Sequence, residues 1–138
     1  LASPEGYDLP ALDRTWAELI DRGRQLGICG EAVDAWGLVH DSPIVTAPEL
    51  CRYHACIPCP PSVPLCAPLF RSRIPAGRYA VFPYRGDVGG VEAMYRRVYS
   101  VWFPAASVSP DDFVAVDHYL HDGPIDGQVA LEIHIKVR

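Results

Sequence analysis

With 138 residues the chain has the length of one ordinary domain with its own core, and an apolar share of 49% argues against disorder. Its 12 basic and 17 acidic side chains leave a net charge of −5, and no Lys/Arg run is present to grip a phosphate backbone; the chain by itself reads as a poor nucleic-acid binder, and cationic ligands are modestly favoured. No apolar stretch approaches the roughly 20 residues of a membrane span. The first residues hold no signal-peptide core, and five cysteines, an odd number, argue against a disulfide framework and point to a reducing cytoplasm.

Residues 11–26 read as the first helix, with Leu12, Trp16, Leu19, Ile20 and Gly23 on one stripe, Pro10 in the first turn, and Gly27 and Gly30 as stops. Residues 35–40 read as a strand, Asp41-Ser42-Pro43 as a connection, and residues 50–57 as the next strand. Five prolines between positions 58 and 68 leave room for no regular element, and 58–73 reads as a linker between two halves. Beyond it, 78–84 reads as a strand, 86–90 as a turn, and 91–103 as a second helix with Val91, Met94, Tyr95, Val98 and Trp102 on one face, ended by Pro104. Residues 113–120 and 129–137 complete the pattern as two strands.

The two halves repeat each other. His40-Asp41-Ser42-Pro43 returns 81 positions later as His121-Asp122-Gly123-Pro124, and Gly6-Tyr7-Asp8 returns after 80 as Gly86-Asp87-Val88. The expected fold is α+β: a duplicated strand-helix-strand-strand unit forming a curved antiparallel sheet, with two helices flanking a ligand groove. The pseudo-repeats are 1–59 and 74–138 of a single domain. Shifting the strand at 78–84 back by 80 places most of it before residue 1, so the first strand of the first repeat is expected to be largely missing and the chain reads as a trimmed piece. An unpaired sheet edge is also where a second copy could add, which keeps a homodimer among the expectations.

Ile74-Pro75-Ala76-Gly77-Arg78-Tyr79-Ala80-Val81-Phe82 resembles the opening of the GyrI-like, or AraC effector-binding, domain. Trp102-Phe103-Pro104 resembles that family's Trp-Leu-Pro helix end. Asp117-His118-Tyr119-Leu120-His121-Asp122 is similar to its "Glu-x-Tyr-x-Asn-Asp" strand, and Glu132-Ile133-His134-Ile135 to its closing strand. Arg52-Tyr53-His54-Ala55-Cys56-Ile57 resembles its "Arg-Tyr-Asp-Ala-Cys" strand. The chain departs from the family pattern where Asp117 replaces the usual pocket Glu, His54 a common Asp and Lys136 the closing Pro. The resemblance implies a small-molecule sensing domain of the multidrug-binding kind in a bacterial transcription regulator, touching DNA only through a separate upstream part. Two alternatives go with it: a hydrolase of strained cyclopropane-bearing toxins, and a stand-alone gyrase inhibitor.

Alternation along the fourth strand places Ala115, Asp117 and Tyr119 on one face and Val116 and His118 on the other. Asp117 is the candidate anchor for an aromatic or cationic ligand, since a partly buried carboxylate calls for a partner. Tyr119, Trp36, Trp102, Tyr79 and Tyr95 are candidate walls of the groove, with core packing as the alternative for the tryptophans. Glu132 is a second candidate acid or a cross-strand partner for a basic group. No catalytic residue, cofactor or metal is assigned. Cys51, His54, Cys56, Cys59 and Cys66 lack paired knuckle spacing for zinc, and the His-Asp pairs read as turn residues.

Overall fold

The computed structural model describes residues 1–120 and 127–138, without the side chains of Phe113 and Val114. Helix α1 spans Leu9–Gln25 and β1 and β2 span Trp36–Val39 and Tyr53–Cys56; strand β3 (Arg78–Asp87) and helix α2 (Gly90–Arg97) lead to β4 (Pro110–Tyr119) and β5 (Gln128–Val137). The second copy of the repeated tetrapeptide, His121 to Pro124, lies outside the described residues.

All strands pair antiparallel in the order β2-β1-β4-β5-β3. A sixth strand position is held by the first three residues: Leu1 and Ala55 exchange two backbone hydrogen bonds at 2.9 Å, and the Ser3 N–H donates to the Tyr53 carbonyl. The duplication is therefore visible in the sheet. β1 and β4 meet at the centre, β2 and β5 flank them, and Leu1–Ser3 and β3 lie outside. Gly37 faces Asp117 across the central pair, and the two are 80 positions apart, the offset of the repeat itself. β1 and β2 are shorter than the expected 35–40 and 50–57, and a 3-10 turn at Pro48–Leu50 takes up the start of the latter.

Helix α1 begins where Asp8 caps it, accepting from the Ala11 N–H at 3.0 Å, and ends at Gly27, whose φ of 71° suits a helix terminus. Its buried stripe is Ala11, Thr15, Leu19 and Gly23, rotated slightly from the expected one; Thr15 satisfies its hydroxyl on the Ala11 carbonyl at 2.7 Å. Both helices lie on one face of the sheet. Leu19 of α1, Tyr95 of α2 and Val98 just beyond α2 pack with Tyr53, Phe82, Ala115, Leu131, Ile133 and Ile135.

One expected wall moves. After Arg97 the helix widens into a π turn over Val98–Trp102 before a last turn at Phe103–Ala105. A π turn inserts one residue into the helical register. The residue that follows Tyr95 and Val98 onto the sheet is consequently Phe103, 7% exposed, while Trp102 is 40% exposed and packs edge-on against Phe82.

Gly37 has no side chain for a physical reason: a Cβ there would run into the ring and hydroxyl of Tyr53, which lies over it. Gly37→Ala is expected to cost about 1–3 kcal/mol through overpacking. Denaturant unfolding of the variant checks this, with an unchanged midpoint as the contrary result.

Candidate functional site

The central strands bring Asp117 to the helix-covered face of the sheet, where it is 4% exposed. From α2, the Tyr95 hydroxyl donates to Asp117 Oδ1 at 2.6 Å. Burial opposes the charged form and lifts the Asp117 carboxyl to about 7, and the Tyr95 hydrogen bond offsets only part of that shift. At neutral pH this acid stands balanced between its two forms.

Beside it is a cavity of about 240 Å³ between the first turns of α1 and α2 and the sheet. Phenols dominate its polar lining. Tyr53 and Tyr119 hold their hydroxyls 3.2 Å apart, and the Trp16 indole N–H donates to Tyr53 at 3.2 Å. Tyr7 stands edge-on to Tyr53 at 6.2 Å and donates to the Asp41 carbonyl. Burial pushes all four lining phenols, Tyr7, Tyr53, Tyr95 and Tyr119, above their ordinary range, so they remain neutral. Glu92 stands at the α2 side of the cavity and is held by the Arg96 guanidinium at 2.8 Å. Among the described residues, no Lys, Arg or His lines the cavity. A second hollow, about 730 Å³, lies between α1, the β2 edge and the 57–74 segment; it is lined largely by apolar groups, with no acid among its described lining residues.

Three of the residues singled out from sequence meet at the first cavity: Asp117, Tyr119 and Tyr95. Four do not line it. Trp36, Tyr79 and Glu132 project from the other face of the sheet, as the pairings Trp36 with His118, Tyr79 with Lys136 and Glu132 with His118 require. Trp36 stacks flat on His118 at 3.8 Å, and Tyr79 donates to the Pro75 carbonyl at 2.7 Å. Trp102 is turned away by the π turn. On β3 it is Phe82, not Tyr79, that faces the helices.

Sequence reasoning missed Tyr7 and Tyr53. The repeat offset held a signal for Tyr53, since it maps 80 positions back from Ile133, a core residue of β5. Tyr7 lies in the repeated Gly6-Tyr7-Asp8 segment ahead of α1, but no periodic stretch there assigns its ring to a face. The His40-Asp41 pair serves the turn: the Asp41 carboxylate accepts from the Arg52 backbone N–H and guanidinium at 2.8 Å, which holds it down at about 2. All five cysteines are free, and His54 pairs with His40 at 2.9 Å.

The chain matches the model of the GyrI-like small molecule binding domain over residues 3–138. It is also similar to a DNA gyrase inhibitor of Serratia proteamaculans (strain 568), with 34% identity over 65 residues. That stretch is 47% of this chain and 42% of the relative, so the match spans less than half of the relative's length.

The raised Asp117 has a consequence for stability. The native protein keeps this proton up to about pH 7, whereas the unfolded chain releases it near the ordinary value of 3.8. Between those limits the unfolded state binds fewer protons, so stability falls as pH rises from about 4 to 7 and levels off above. The loss is on the order of 4 kcal/mol. Asp117→Asn keeps an acceptor for Tyr95 and carries no proton to lose. Urea unfolding at pH 4 and pH 8 should show the variant gaining on wild type at the higher pH; parallel changes in the two proteins would contradict the assignment.

Proposed function

Because the chain belongs to the GyrI-like small-molecule-binding domain family, we propose that its cavity receives a lipophilic aromatic cation, anchored by Asp117 and walled by Tyr7, Tyr53, Tyr95 and Tyr119. The observation that carries this reading is the buried carboxyl facing a cavity with no cationic side chain in its described lining. Ionising such a group is costly without a partner. A ligand cation supplies that partner, and each aromatic face adds about 0.5–2 kcal/mol of cation–π attraction. The domain then acts as the sensing part of a transcription regulator whose DNA-binding part is separate. Occupancy biases that regulator through a difference in affinity for its two states.

A second reading, a gyrase-inhibitor-type protein acting by itself, draws support from the Serratia relative. Adding the purified chain to a gyrase supercoiling reaction separates the two: inhibition at stoichiometric protein favours the second, and full supercoiling the first. Hydrolysis of a strained ring would need Asp117 or Glu132 to orient water; Glu132 projects from the other face of the sheet, so that reading rests on Asp117 alone.

Binding to Asp117 displaces its proton below about pH 7. Affinity for a quaternary aromatic cation, which has no titrating group of its own, should rise about tenfold per pH unit up to that point and then level. Asp117→Asn should weaken binding and flatten the profile. Calorimetric titration from pH 5.5 to 8.5 checks both, and equal profiles in the two proteins would remove Asp117 as the anchor.

A further inference from the structure

The face of the sheet opposite the cavity gathers a second set of groups. His118 on β4 pairs directly across from Glu132 on β5, and His134 follows Glu132 by two positions and projects from the same side. His134 Nε2 lies 3.2 Å from Glu132 Oε2, and His118 Nδ1 lies 4.0 Å from that same oxygen. One donor atom from each of the three falls within 4.8 Å of the others. The side chains are 26%, 37% and 21% exposed for His118, Glu132 and His134, open enough for an ion to enter.

The surroundings orient the donors. A carboxylate only accepts, so His118 Nε2 carries the proton it gives to Asp34 Oδ1 at 3.0 Å. In the neutral ring this leaves the lone pair on Nδ1, the nitrogen turned towards Glu132. An outer carboxylate fixing the tautomer of a ligating imidazole is a recurrent feature of metal sites. Asp34 is itself held by the Trp36 indole N–H at 2.9 Å, and Trp36 covers the His118 ring at 3.8 Å with the planes 8° apart. Lys136, next along the face, is engaged by Asp111 at 2.8 Å. With metal–ligand bonds of about 2.0–2.2 Å, tetrahedral donors stand roughly 3.3 Å apart. The His134–Glu132 edge already has about that length, while the His118–Glu132 edge is 4.0 Å and all three donors lie within 4.8 Å, so binding requires His118 to draw inward.

We propose that His118, Glu132 and His134 form a binding site for a divalent transition metal of the zinc class, with water completing the coordination. Two imidazoles favour Zn²⁺, Co²⁺ or Ni²⁺ over Mg²⁺ or Ca²⁺. For His134 to ligate through Nε2 its neutral ring carries the proton on Nδ1, so that the ion takes the place of the hydrogen bond between Nε2 and Glu132, and Asp34 is a positioning residue.

The test uses the reduced full chain without a polyhistidine tag, stripped of metal and titrated with Co²⁺ by absorption and Zn²⁺ by calorimetry. One equivalent should bind with an imidazole–carboxylate spectrum and quench Trp36 emission, the quench being lost in Trp36→Phe. Glu132→Gln and His134→Ala should each weaken binding at least about tenfold, and Asp34→Asn by about 10–100-fold. Cys56→Ser should leave binding unchanged. Circular dichroism of the metal-free variants confirms that they are folded. Absence of binding, affinity unchanged in Glu132→Gln and His134→Ala, or a thiolate spectrum abolished by Cys56→Ser would each overturn the proposal.

Discussion

The constraint on which this structure turns is a buried carboxyl with no cationic side chain among the described residues that line its cavity. Asp117 sits at the centre of the sheet under the helices, and what holds it is a neutral phenol, Tyr95, at 2.6 Å. A hydrogen bond of that kind offsets part of the desolvation cost and leaves the rest as a raised proton affinity. The core around it is mixed: phenol hydroxyls and an indole N–H gather beside the carboxyl, while Ile133 pairs directly across from Asp117 on β5 and Ile135 across from Ala115.

The doubled unit explains where that carboxyl lies and why it is single. Gly37 and Asp117 face each other across the pseudo-symmetric centre as equivalent positions of the two halves. One half places an acid there. The other places a glycine, and the ring of Tyr53 occupies the space a side chain would take. The duplication builds a symmetric frame, and the departure from symmetry at this one pair gives the cavity its polar end.

The same two strands serve both faces. Adjacent residues on β4 alternate sides, so Asp117 reaches the cavity while His118 reaches the outer cluster with Glu132 and His134. The segment at 57–77 runs without helix or strand and lies along the β2 side: Phe70 stands edge-on to His54 at 5.0 Å, and Arg71 ties its own loop together through the carbonyls of Pro60, Pro61 and Val63. Among the described residues, no helix is long and apolar enough to cross a membrane.

The repeat, the α+β class, the family and the facing of Asp117 and Tyr119 were all legible in the sequence, because strand alternation and motif order are local properties. So was the opposition of Glu132 and His134 to Ile133 and Ile135 on β5. Which face of the sheet the helices cover was decided only in three dimensions, and with it the fate of Trp36, Tyr79 and Glu132. Each alternates correctly, yet on the side away from the cavity. Trp102 depended on a π turn, a one-residue slip that helical periodicity does not reveal. Tyr7 and Tyr53 joined the site through contacts 46 residues apart in sequence, and the tie between Tyr95 and Asp117 spans 22. Periodicity assigns a residue to a side of its own element; only packing brings that side against another.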